Sequence, residues 1–293
     1  MNDWWSAIFN FSNYGELLVL LQNSLIAGAV LGVVGGLIGV FVMSRDMAFA
    51  VHGISELSFA GASAGLLFGV GVVEGSIVGS LVAAALIGVL GARARDRNSI
   101  IAVLMPFGLG LGILCLALYP GRSANKFGLL TGQIVAVDDP RLNSLVAISI
   151  VVVAGLMVVW RPLTFASIDP EVAAARGVPT RFLSLYFMLL LGLAVAVSVQ
   201  IVGSLLVLSI LVTPAAAALR VSSSPIVVPL LSTVFAVFSL VGGIMLALGG
   251  SLPISPYVTT LSFLIYVVCR IVAAVRARRG NTGRSTDLVT ARS

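Results

Sequence analysis

Long apolar runs cover most of this 293-residue chain, broken at intervals by short clusters of arginine, aspartate, proline and serine. A helix needs about 20 apolar residues to cross the hydrocarbon core of a bilayer. The runs predict spans near 17–43, 55–73, 75–92, 99–119, 143–162, 182–202, 204–220, 226–248 and 258–275. Segment 122–140 is less apolar and fits a short re-entrant helix, so the expected count is eight to nine. Trp4, Trp5, Phe9 and Phe11 precede the first run, where aromatic rings anchor at the headgroup level. The reading is an all-α, polytopic membrane protein. It comprises an N-terminal interfacial segment 1–14, a transmembrane domain 15–277 and a polar tail 278–293, expected to be disordered and cytoplasmic.

Composition agrees with that class. The chain is 59% hydrophobic and 10% charged, with a mean hydropathy of +1.14, against about 25% charged for a soluble domain. The net charge of +6 is almost wholly arginine, Lys126 being the only lysine. Because the arginines lie between apolar runs, they read as topology signals and not as a nucleic-acid patch. In the nine-span arrangement Arg45, Arg93, Arg95, Arg97, Arg161, Arg176, Arg181, Arg220 and the tail arginines fall on one side. Only Arg122, Lys126 and Arg141 fall on the other. The positive-inside rule makes the first side cytoplasmic, with the N-terminus outside and the C-terminus inside. Asp3 and Glu16 precede the first run without a basic cluster, so no cleavable signal peptide is expected. Cys115 and Cys269 sit in separate apolar runs and read as small buried hydrophobes.

Three segments carry chemistry beyond membrane insertion. His52, the only histidine, and Glu56 stand four residues apart in an otherwise apolar or small-residue stretch. Residues at that spacing share a helix face, and a nitrogen and an oxygen donor there can bridge one divalent cation. A structural polar contact is the competing reading, but ionisable groups in a span are costly and point to function. The second segment, Ser167 to Gly177, reads as a short capped helix. Asp169 suits the N-cap, Pro170 the first turn, Glu171 the positive helix end, and Gly177 a left-handed stop. The third runs from Val202 to Arg220, where Gly203 and Pro214 break the helical regularity. Glycines recur every fourth residue at Gly28/Gly32/Gly36, Gly61/Gly65/Gly69 and Gly71/Gly75/Gly79, which lets membrane helices approach closely.

Taken together and in this order, the three segments resemble the permease subunit of the metal-ion ABC importers, which take up zinc, manganese or iron. The resemblance rests on Arg45, Ala48, Ser55 and Gly61; on Ser167, Asp169, Glu171, Ala173 and Gly177; and on Val202, Gly203, Leu205, Leu206, Val207, Pro214, Ala215 and Ala218. It spans roughly residues 15–275. It implies a transport subunit with no cofactor of its own, the metal being cargo at His52 and Glu56. It also implies three partners: an ABC ATPase subunit held through Ser167, Asp169, Pro170, Glu171, Ala173 and Gly177, an extracytoplasmic metal-binding protein, and a second permease, identical or paralogous. Gly61, Gly203 and Pro214 would serve helix packing or gating. The chain departs from the family where His52 stands for the usual aspartate and Glu56 for the usual histidine.

Rival readings carry less. A siderophore or cobalamin ABC permease would need no metal ligands, and a secondary metal transporter would show an inverted repeat or several buried acids. Gly61-Ala-Ser-Ala-Gly65 matches a hydrolase elbow, but it lies in a helical pattern without a triad. No Gly-Lys dipeptide occurs, so the chain holds no phosphate-binding loop and ATP hydrolysis falls to a separate subunit.

Overall fold

The structure, a computed structural model, describes residues 21–91, 94–121, 137–248 and 254–290. The expected interfacial segment 1–14 and most of the re-entrant candidate 122–140 lie outside the described residues. Ten helices and no strand form among them. They are α1 (Gln22–Ser44), α2 (Ala48–Phe68), α3 (Val72–Leu90), α4 (Ala94–Leu118) and α5 (Asp139–Ile168). Then follow α6 (Pro170–Ala175), α7 (Thr180–Val202), α8 (Ser204–Val221), α9 (Val227–Ala247) and α10 (Ile254–Thr290). Seven are long and apolar enough to cross a membrane: α1, α3, residues 97–118 of α4, α5, α7, α9 and residues 254–277 of α10. Leu206–Val221 of α8 is a shorter apolar helix. The polar stretch beyond 277, expected as a disordered tail, continues the helical backbone of α10 to Thr290.

Several expected boundaries were displaced, those of α2 and α5 among them. The span expected at 55–73 is a helix from Ala48 to Phe68. His52 and Glu56 lower the hydropathy around them and so push a hydropathy-based start inward, whereas the backbone turns helical directly after Met47. The helix then stops at Gly69, whose φ of 73° only glycine adopts readily, and Gly71 at φ 123° opens α3. The span expected at 143–162 runs instead from Asp139 to Ile168. Pro162 does not end it; Thr164 and Ser167 hydroxyls donate to the Trp160 and Leu163 carbonyls at 2.7 and 2.6 Å in the closing turns.

Glycine faces decide how the helices meet. A Cβ on Gly61 would strike the Gly75 carbonyl oxygen, and one on Gly65 that of Gly71, so α2 and α3 cross antiparallel with their backbones touching. On α1, Gly28, Gly32 and Gly36 lie against Ile244, Val237 and Thr233 of α9, antiparallel. Gly35 and Gly39 on the same helix meet Ile210 and Leu211 of α8, parallel. Gly69 and Gly71, in phase with the packing glycines in sequence, serve the turn. Hydroxyls add cross-links: Ser232 donates to the Gly36 carbonyl at 2.8 Å, and Ser76 to that of Ala196 at 3.2 Å. Cys115 and Cys269 are buried free thiols.

The result is that α2 lies inside the bundle, packed by α3, α4, α7 and α8. Its neighbours are protein on most sides, which is what allows it to carry three buried serines and a buried glutamate. The two ends of the bundle differ. At one, Arg45 and Ser167 meet, and Arg276 reaches the Val221 carbonyl. At the other, Asn23 donates to Val137 and Asp139.

Replacing Gly61 with valine should destabilise the fold by about 1–3 kcal/mol or more, the cost of overpacking a tight contact. Gly110→Ala, at an α4 position with nothing within 4 Å, is the control and should not destabilise, raising stability by up to about 1 kcal/mol. Thermal unfolding in detergent distinguishes the two; equal melting temperatures would show that the α2–α3 crossing tolerates a side chain.

Candidate metal station and coupling helix

The entry to α2 fixes where its donors sit. The turn Arg45–Asp46–Met47 reverses the chain in three residues, with the Met47 amide donating to the Val42 carbonyl at 2.8 Å. Asp46 has φ 53°, the only positive value outside glycine among the described residues. Arg97 of α4 caps the turn by donating to the Asp46 carbonyl at 3.2 Å and to that of Arg45 at 3.5 Å. At 1.5 Å per residue His52 and Glu56 follow about 6 and 12 Å along the helix, near the arginine-rich end.

There the two side chains face each other. His52 Nε2 lies 3.8 Å from Glu56 Oε1, too far for a hydrogen bond. The Glu56 side chain is 6% exposed and that of His52 29%. Their other polar atoms, Glu56 Oε2 and His52 Nδ1, are buried without a hydrogen-bond partner. A carboxylate buried without a partner is expensive, and a cation seated between the two donors would remove that cost. Among the described residues no cluster of three His, Cys, Asp or Glu side chains exists, so of these the pair is what a bound ion would meet.

The surroundings hold the pair still. Gly53 packs against Ile101 and Ile87, and Gly108 lets α4 lie against the backbone of Glu56 and Leu57. On neighbouring faces Ser55 donates to the Ser204 carbonyl at 3.1 Å, and Ser58 shares a 2.7 Å hydrogen bond with the Ser76 hydroxyl. α2 is thus tied to α8 and α3 by polar contacts between residues far apart in the chain. Ser204 opens α8 just after Gly203, whose φ of 80° and ψ of 160° break the chain between α7 and α8. Pro214 stands inside α8, and the glycines of α1 meet the turn before it.

The second expected site is a six-residue helix, α6, capped as its sequence predicts. The Asp169 carboxylate accepts the Val172 amide at 3.0 Å, Pro170 takes the first position and Glu171 the first turn. Gly177 at φ 80° ends it, with the Gly177 and Val178 amides donating to the Ala174 and Ala173 carbonyls at 3.0 Å. Ala173 is fully buried and seats the helix on the bundle, while Glu171, Val172 and Arg176 are exposed. Ser167, just ahead of it, accepts from Arg45 Nη1 at 3.4 Å. That link joins residues 122 apart and was not foreseen. Burial, and secondarily the neighbouring Arg97 guanidinium, pull Arg45 below the ordinary arginine value.

Known proteins bear on this arrangement. The model of the ABC 3 transport family matches residues 18–273. A manganese transport system membrane protein MntC of Halalkalibacterium halodurans is 29% identical over 225 residues, covering 76% of this chain and 77% of that protein. A manganese import system permease protein ScaB of Streptococcus gordonii is 28% identical, covering 86% of this chain and 91% of its own. A solved structure of PsaBC from Streptococcus pneumoniae in complex with Fab superposes with a TM-score of 0.79 at 25% identity, covering 88% of this chain and 95% of that one.

Loss of the Asp169 cap should open α6 locally. Asp169→Ala removes a side-chain acceptor whose loss costs about 1 kcal/mol, about fivefold in the opening equilibrium. Hydrogen exchange at the Val172 amide should quicken by that factor, with α5 and α7 unchanged; unaltered exchange would mean the cap contributes nothing.

Proposed function

Because the chain belongs to the ABC 3 transport family, we propose that it is the membrane-spanning permease of a binding-protein-dependent ABC importer carrying a divalent transition metal. The observation that carries the cargo reading is the His52–Glu56 pair, with a buried nitrogen and a buried carboxylate oxygen left unpartnered inside an apolar bundle. Imidazole and carboxylate suit manganese, zinc and ferrous iron. The relatives named for manganese transport favour manganese among the three.

In this reading nine helices cross the membrane alternately, α6 alone staying on the cytoplasmic side. The antiparallel and parallel glycine contacts of α1 with α9 and α8 support that alternation. The arginine-rich end is cytoplasmic, the N-terminus outside and the C-terminus inside. A second permease subunit, a copy or a paralogue, would bring its own donors to a shared pathway. Two donors from each chain approach the four or more that a divalent ion needs, yet leave it loosely enough held to move on. An extracytoplasmic binding protein delivers the ion at the Asn23–Asp139 end. A separate ABC ATPase docks on α6, whose exposed Glu171, Val172 and Arg176 would meet it.

Two tests address the two halves. His52→Ala and Glu56→Ala should each lower uptake of radioactive manganese, zinc or iron into proteoliposomes by about tenfold or more, one lost donor being worth at least about 1.4 kcal/mol. Expression and complex assembly should stay near wild type; uptake at the wild-type rate in both variants would reduce the pair to a structural contact. Reversing charge on the coupling helix with Asp169→Lys and Glu171→Lys should reduce co-purification with the ATPase about tenfold. Full recovery of the complex from both variants would place the docking surface elsewhere.

A further inference from the structure

We propose that Arg45 is the positioning residue that makes the coupling helix α6 and the donor-bearing start of α2 move as one body. This rests on the docking role of α6 given above. Arg45 touches the chain on both sides of that helix. Its Nη1 donates to the Ser167 hydroxyl at 3.4 Å, two residues before the Asp169 cap. Its Cζ stands 5.9 Å from the centre of the Phe187 ring on α7, the helix that follows α6. That distance is within cation–π range.

The backbone of the same residue belongs to the turn that launches α2. Ala48 is three residues on and His52 seven. Asp46 holds a left-handed conformation that a non-glycine residue rarely adopts, and Arg97 fastens the carbonyls of residues 45 and 46. A three-residue turn so fixed has no slack to absorb a displacement. A push on either flank of α6 therefore arrives at His52.

The charge pattern argues that this is more than packing. Among the described residues no carboxylate lies within 4 Å of Arg45 or Arg97, and the Nε atoms of both are buried without a partner. Two like charges are thus held close together, with no counter-ion among the described side chains, an arrangement that burial penalises. What only arginine supplies is a planar, multiply donating group able to hold a hydroxyl and a ring face together.

The test uses the whole transporter, permease with ATPase, in proteoliposomes. Spin labels at Ile168 and Phe49, both well exposed, report the distance between the α6 flank and the start of α2. The wild type should give one narrow distribution with and without ATP, and Arg45→Ala a broad one. Metal uptake per ATP hydrolysed should fall about tenfold in Arg45→Ala, an ordinary coupling free energy, while hydrolysis itself continues. Arg45→Lys should restore neither, since an ammonium lacks the planar fork. Should Arg45→Ala fail to assemble, Phe187→Leu removes the ring face while keeping an apolar side chain, and should lower the same ratio. A distribution as narrow as wild type, or an unchanged ratio, overturns the proposal. A wild-type complex that hydrolyses ATP but moves no manganese, zinc or iron refutes the cargo instead, and the distance measurement still decides on Arg45.

Discussion

Close approach of backbones at glycine is the constraint on which this bundle depends. Lipid tails are as apolar as leucine, so membrane helices gain little by hiding leucine from lipid and must hold together by dispersion and directional contacts. Both require short distances. Gly61 and Gly65 against Gly71 and Gly75, and Gly28, Gly32 and Gly36 against α9, provide them. Because these crossings are tight, the neighbours of α2 close around it, and a carboxylate can sit in the membrane without meeting a lipid chain. A looser bundle would expose the Glu56 side chain to hydrocarbon.

The same economy governs the arginine-rich end. There the connections are short, three residues between α1 and α2 and one between α5 and α6, so the elements cannot drift independently. Arg97 and Arg45 tie the carbonyls and hydroxyls that such turns leave over. The groups that would contact an ATPase and those that would hold an ion are therefore joined through short turns and the Arg45–Ser167 contact.

Much of this was legible in sequence because the signals were local. Long apolar runs, the cap at Asp169, the stop at Gly177 and the four-residue spacing of His52 and Glu56 all depend on neighbours a turn or two away. Boundaries failed where a local signal was overruled. The ionisable pair disguised the true start of α2, and α5 continued through Pro162 to Ile168, past the point where a proline marks a stop. Glycine spacing announced tight faces but not which pairs would meet. Least legible were contacts between distant residues, such as Ser55 with Ser204 and Arg45 with Ser167, since nothing in either segment names its partner.

The placement of hydroxyls along α2 has a consequence for what an ion would experience. Beyond Glu56 the helix offers only Ser58 and Ser63 as polar side chains as far as Phe68, and both hydroxyls are buried between helices with no exposed surface. This helix therefore gives an arriving cation nothing to exchange for its hydration shell along that stretch. On the proposed path the ion travels it with its water and sheds that water at His52 and Glu56, late in the crossing. On that path discrimination would fall on how readily an ion gives up water, which would disfavour magnesium, slow to dehydrate.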